Sequence, residues 1–349
     1  MRTQREASLA EGSEWKRRAG IHLMVGFRGV RLEEELEGLI RDHHIGGAVL
    51  FRRNVEDPEQ LRELVRSARE CALSHLGRPI LLAIDQEGGP VQRLKSPPFE
   101  RLPSARVLAK EGPESVRGWA GIAARELKSL GIHINLAPVL DVLPEDHAEH
   151  FMAERCLGSD PVRVAELGRA WIEALQREGV SATAKHFPGL GHAESDPHHD
   201  ATVIHWENEA STERDLEPFR QAVAGGVHCV MTSHSLYPAV DAEWPATLSP
   251  TLCCQWLRHR LGFDGVLLSD DLDMAAVSRQ FTWETVARQG ILATVDFFLL
   301  CQNPGHIGPF ALELGGWLAR SPELAALHDR SVGRIERLHR RLGLAWRAG

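Results

Sequence analysis

The chain has no paired-cysteine spacing, no long apolar run and no concentration of basic charge. Its six cysteines (Cys71, Cys156, Cys229, Cys253, Cys254 and Cys301) are scattered, with no Cys-x-x-Cys. Several sit in apolar strand-like runs, where cysteine serves as a small hydrophobe, and a reducing cytoplasm is the compartment this usage predicts. No stretch reaches the roughly 18 uninterrupted apolar residues of a membrane span. The opening MRTQREASLAEGSEWKRRAG is polar and lacks the apolar core of a secretion signal. The net charge is −8 with both signs interspersed. This predicts no nucleic-acid partner and no attraction to an anionic membrane. There is no HExxH, no EF-hand spacing, no low-complexity tract and no linker rich enough in Pro, Gly or Ser to divide the chain.

What is present is an ordinary globular composition, 43% hydrophobic and 25% charged over 349 residues. Eight short apolar runs recur: 21–27, 46–51, 80–85, 132–138, 181–187, 228–234, 265–270 and 295–301. They are aliphatic, do not alternate strictly and read as strands buried on both faces. Between them lie amphipathic stretches at 31–43, 57–75, 113–129, 161–178, 212–225, 248–260 and 283–293, with a final helical region over 307–342. Asp57-Pro58 and Ser249-Pro250 place proline in a first helical turn, Thr212 and Asp215 come close to a capping box, and Gly131 and Gly262 stand where helices should end. Eight strand-then-helix units predict an α/β fold, a single parallel (β/α)8 barrel of the TIM type. Residues 1–19 read as a polar N-terminal tail and 20–349 as the barrel. A doubly wound sheet is the alternative.

Chemistry in such a barrel sits where strands end at their C-termini. Those ends read Asp85, Lys185 with His186, His234 and Asp270. A charged residue ending a buried strand is costly unless paired or used, and several converge on one rim. The run GVLLSDDLDM delivers Asp270 to that rim, where a carboxylate suits attack on an electron-poor carbon; Asp271 reads as a cap for the following helix. After the fifth run, KHFPGLGHAESDPHHD is too rich in Gly and Pro for a helix until about residue 211. Within it Asp196 and His198 are two apart, a spacing at which a carboxylate can fix an imidazole for proton transfer. Glu194 is the rival proton donor. His186, His192, His198, His199, Asp196, Asp200 and His234 could supply metal ligands, but the first run offers only His22 and lacks the His-x-His pair such barrels use. No metal and no cofactor are expected.

The segments GGAVLFRRN, AIDQEGGPVQR, NLAPVLDV, KHFPGLG and GFDGVLLSDDLDM, in this order along the chain, resemble family 3 glycoside hydrolases, in particular the bacterial β-N-acetylglucosaminidases of cell-wall recycling. The likeness runs from about residue 20 to 340. It implies that Asp270 is the catalytic nucleophile and that His198 is the acid/base, paired with Asp196. Asp85 matches the carboxylate that binds sugar hydroxyls; Arg93, Arg155, Lys185 and His186 match further sugar-binding positions. Departures are Leu190 where the family has histidine, Pro90 where it has arginine, ATVD (293–296) where AGxD is common, and an atypical stretch before Arg155.

The expected reaction is removal of terminal non-reducing β-N-acetylglucosamine with retention, through a glycosyl-enzyme on Asp270. The expected partner is a small carbohydrate, a muropeptide or oligosaccharide containing N-acetylglucosamine, acted on in the cytoplasm by a monomer or weak dimer. The rival readings are a phosphorylase using the same site, a sugar-binding protein impaired in catalysis, and a metal hydrolase.

Overall fold

The computed structural model describes residues 14–95, 97–145, 150–193 and 202–346. Eight strands close into a barrel: β1 (Leu23–Val25), β2 (Gly47–Leu50), β3 (Leu81–Ile84), β4 (Ile134–Asn135), β5 (Ser181–Phe187), β6 (Cys229–Thr232), β7 (Val266–Asp271) and β8 (Phe297–Leu300). Each pairs in parallel with its neighbours in sequence, and β8 returns to β1. The expected (β/α)8 barrel is the observed fold. β5 matches its apolar run residue for residue, whereas β4 keeps only two of seven, although the Thr183 and Lys185 amides still donate to the Ala137 and Pro138 carbonyls beyond it.

Strand alternation sorts the core into two layers. Met24, Val49, Leu81, Ala83, Cys229, Met231, Val266, Leu268, Phe297 and Leu299 fill the barrel interior. Their neighbours in sequence, such as Leu23, Leu82, Val230, Leu267 and Phe298, pack outward against the helices. Both faces are apolar, so the sequence shows no alternation even though the structure uses it. Continued by two residues, the inward set 81, 83 reaches Asp85, 183 reaches Lys185 and 266, 268 reaches Asp270. The period of two thus carries three charged side chains into the barrel mouth.

The helices begin and end largely where their caps dictate. Asp57 accepts hydrogen bonds from the Glu59 and Gln60 amides to open Pro58–Leu76, and Gly131 and Gly262 take φ of 75° and 76° past their helix ends. The helix of the fifth unit starts at Glu209, earlier than its apolar pattern predicts. Asn208 caps it in a reciprocal pair with Ser211, and Thr212 merely bonds back to the Asn208 carbonyl. The final helical region is two helices, Pro304–Arg320 and Pro322–Arg341, divided where Ser321 caps Pro322. The loop after β3 holds a hairpin (Gln86–Gly88 with Val91–Gln92) and a short helix, Ala105–Glu111. Residues 14–20 are helical, and Ala19, in the stretch read as a polar tail, is fully buried. Ile335 and Leu338 of the last helix close the N-terminal end of the barrel against its interior.

Candidate active site

The C-terminal mouth of the barrel opens into a cavity of about 520 Å3. Asp85, Arg93, Arg155, Lys185, His186 and Asp270, all singled out in the sequence, line it together. Leu136, Met231 and Leu299 of the barrel interior close its base, with Phe51 beside them.

A chain of ion pairs organises the polar side. Lys185 Nζ donates to Asp85 Oδ1 at 3.0 Å and reaches Glu87 Oε1 at 2.7 Å. Asp85 Oδ2 accepts from Arg93 Nη2 at 3.0 Å. Glu87 takes both a Nε and a Nη2 bond from Arg155, each 2.8 Å, in the planar two-point geometry that favours arginine. Burial opposes ionisation of Asp85 and Glu87, but the neighbouring cations outweigh it and hold both carboxyls below their ordinary range. Burial likewise works against the Lys185 charge, and Glu87 and Asp85 overcome it, so its pKa is raised.

Opposite stands Asp270. Burial again favours its neutral form, and His186, His234, the Asp271 amide and Lys185 together prevail, leaving the carboxyl below its usual pKa. Its Oδ1 accepts from the Asp271 amide at 2.8 Å. His186 is fixed from behind: Nδ1 lies 2.7 Å from Asp141 Oδ2, while Asp141 Oδ1 accepts the amides of His186 and Leu190. Asp141 is fully buried, and it locks the turn after β5 as well as the ring. The other ring nitrogen of His186 has no hydrogen bond among the described residues. His234 places Nδ1 at 2.8 Å from Thr247 Oγ1 and Nε2 at 3.1 Å from the Asp271 carbonyl. It supports the strand end that carries Asp270.

The profile of the glycosyl hydrolase family 3 N-terminal domain matches residues 19–315. The chain belongs to glycoside hydrolase family 3. It is 37% identical over 292 residues to a β-hexosaminidase of Alkalilimnicola ehrlichii, covering 81% of each chain. To a β-hexosaminidase of Chromobacterium violaceum it is 35% identical, covering 89% of this chain and 87% of that one. Among solved structures, a family 3 β-N-acetylglucosaminidase from Paenibacillus sp. superposes with a TM-score of 0.88 at 34% identity, over 96% of this chain and 64% of that one. The chain thus spans just under two thirds of the Paenibacillus protein. A β-N-acetylhexosaminidase from Beutenbergia cavernae gives 0.86 at 27% identity, over 93% and 97%.

Within this family 3 barrel, six of the eight expected site residues meet at one cavity; Asp196 and His198, with Glu194, lie outside the described residues. Asp271 does not cap the helix after β7. Its Oδ1 accepts from the Asp273 and Cys301 amides, tying the β7 turn to the end of β8. Burial, then the charge of Asp273, pushes its pKa up to about 7. Two residues the sequence reading passed over are Glu87 and Asp141. Both sit inside the quoted segments AIDQEGGPVQR and NLAPVLDV, yet nothing local distinguishes them from loop carboxylates; their arginine and histidine partners are 68 and 45 positions away. Leu190 lines the cavity and is buried, whereas Pro90 is exposed at the hairpin tip. Among the described residues no group of three or more His, Cys, Asp or Glu is arranged to hold a metal. No helix among them is long and apolar enough to cross a membrane.

Proposed function

We propose that this family 3 enzyme is a retaining exo-β-N-acetylglucosaminidase. Asp270 attacks the anomeric carbon of a terminal β-linked N-acetylglucosamine and holds the sugar as a glycosyl ester. His198, oriented by Asp196, protonates the departing oxygen and then deprotonates the incoming water. Asp85, Arg93, Arg155, Lys185 and His186 hold the sugar hydroxyls. The observation that carries the reading is the placement of Asp270: β7 delivers its carboxylate to the cavity it shares with Asp85, Arg93, Arg155, Lys185 and His186, where its neighbours hold its pKa below the usual range, as suits a nucleophile. Its likeness to curated β-hexosaminidases supports the choice of sugar.

Histidine suits the second role because imidazole titrates near neutrality without heavy burial, whereas a loop carboxylate would need its pKa raised. The natural substrate is a cytoplasmic fragment of peptidoglycan, a reading that rests on the likeness of the five sequence segments to the cell-wall-recycling branch.

The test is to trap the intermediate with a 5-fluoro N-acetylglucosaminyl donor and map the adduct by mass spectrometry. An adduct on Asp270, together with loss of nearly all turnover of p-nitrophenyl β-N-acetylglucosaminide in Asp270→Ala, is the expected result. Full activity in Asp270→Ala overturns the assignment. His198→Ala should slow a poor leaving group far more than an activated aryl one; equal losses would remove His198 from the proton-transfer role.

A further inference from the structure

Among the described residues the cavity lining holds four permanent cations, and three are already spoken for. Arg93 is paired with Asp85, Arg155 with Glu87, and Lys185 with both carboxylates. The fourth is Arg279. It follows the short helix Ala275–Ser278 after β7, is exposed, and makes no ion pair among the described residues. The nearby carboxylates of the same turn are engaged elsewhere. Asp271 accepts from two amides, and Asp273 accepts from the Gln302 and Asn303 amides and lies 2.6 Å from His306 Nδ1.

The backbone beneath Arg279 is well held. The Met274 amide donates to the Asp271 carbonyl, and Ser278 Oγ donates to the carbonyls of Asp273 and Met274. The turn is anchored while the guanidinium it carries stays uncommitted at the edge of the sugar cavity. Arginine offers a planar pair of donors that matches a carboxylate, and a free one at a pocket edge is suited to an anionic group on whatever protrudes from the pocket.

We infer that Arg279 is a specificity-determining residue that selects glycosides whose leaving group carries a carboxylate over neutral ones. The inference rests on the proposed glycosidase reading, since it assigns the part of the substrate beyond the scissile bond. A bound anion could also be free phosphate acting as acceptor, and the experiment separates the two sources.

Two substrates make the test: the β-1,4 disaccharide of N-acetylglucosamine and N-acetylmuramic acid, and its methyl ester. In the native enzyme kcat/KM should be higher for the free acid, and the advantage should shrink as salt is raised. In Arg279→Ala the acid-to-ester ratio should fall about fivefold, the size of a well-placed but solvent-exposed pair. Arg279→Lys should restore part of it, and Arg279→Glu should favour the ester. The ratio cancels any general effect of the substitution on folding or turnover. An unchanged ratio in Arg279→Ala and Arg279→Glu overturns the inference. So does a phosphate-dependent yield of sugar 1-phosphate that depends on Arg279 while the ratio does not. Failure of the native enzyme to cleave either disaccharide and p-nitrophenyl β-N-acetylglucosaminide would instead overturn the glycosidase reading beneath it.

Discussion

The barrel carries a buried ionic cluster at each end, and the two are built differently. At the N-terminal end Asp296, fully buried just before β8, takes Arg334 through Nε and Nη2, Arg258 through Nη2, the Ser331 hydroxyl and the Leu267 amide. The acceptor is saturated, and both guanidinium groups are nearly buried. At the mouth, Asp85, Glu87, Lys185, Arg93 and Arg155 are also paired, but donors remain. Lys185 has a third proton beyond its two carboxylates, Arg93 Nε is buried without a partner, and one ring nitrogen of His186 is open among the described residues. Unsatisfied buried donors cost stability, so their presence at the mouth calls for an explanation, and the proposed sugar site supplies one. The lower cluster joins the last helix to the barrel; the upper one keeps donors to spare, as the proposed sugar-binding role requires.

Reciprocal substitutions would break this contrast. Lys185→Met should lower kcat/KM on an aryl N-acetylglucosaminide about 10²–10³-fold, as removal of a preorganised active-site donor does. It should cost only about 1–2 kcal/mol of stability, because Asp85 keeps Arg93 and Glu87 keeps Arg155. Asp296→Ala should do the reverse. Two buried arginines lose their counter-charge, at a cost of about 3–5 kcal/mol in denaturant unfolding, while activity per folded molecule stays near the native level. If Lys185→Met proved as destabilising as Asp296→Ala and retained turnover, the upper cluster would be structural like the lower.

The upper cluster was half legible in the sequence, and the lower one was not legible at all. Asp85, Lys185 and Asp270 stood out because a charge at the end of an apolar run is conspicuous, and strand alternation then points all three inward. Arg93 and Arg155 came from resemblance alone. Glu87 and Asp141 escaped because their meaning lies in partners across the barrel. Asp296 opens a strand instead of ending one, so it resembles an ordinary loop carboxylate, and the Arg258 and Arg334 that hold it sit on amphipathic helices as any surface arginine would. Helix starts failed where a better cap lay upstream, as at Asn208.

The two ends should also differ in pH response. His22, His133 and His228 each immediately precede or sit just before a strand at the N-terminal end, and burial lowers each pKa to about 4. His22 Nδ1 donates to the Asp296 carbonyl, so its Nε2, 2.7 Å from His328 Nδ1, must accept from that ring. The pair is built for two neutral imidazoles. With an unfolded pKa near 6.5 and a folded one near 4, the unfolded chain binds more protons between these values, so stability present above pH 6.5 is lost as pH falls towards 4. For His22 alone the loss approaches about 3 kcal/mol at the acid limit. His22→Asn should flatten the stability slope between pH 6.5 and 4.5 by up to about 1.4 kcal/mol per pH unit. An unaltered slope in urea unfolding would mean that this pair does not govern acid sensitivity.

The smallest effect comes from a single backbone position beside the lower cluster. Thr294, where the family commonly has glycine, sits at φ 63°, a left-handed conformation that is costly for a β-branched residue. Its hydroxyl partly compensates by accepting from Arg258 Nε at 3.3 Å, while the Thr294 carbonyl accepts from Arg258 Nη2 at 3.1 Å. Glycine would relieve about 1–2 kcal/mol of strain and keep the carbonyl bond. It would lose the long hydroxyl bond and gain about 0.5–1 kcal/mol of unfolded-chain entropy to overcome. Thr294→Gly should therefore raise Tm by about 1–3 °C, with no change in kcat/KM. Thr294→Ala keeps most of the strain without the hydroxyl and should lower Tm. A fall in Tm for glycine as well would show that the hydroxyl's hold on Arg258, and through it on Asp296, outweighs the strain, making Thr294 a working member of the lower cluster.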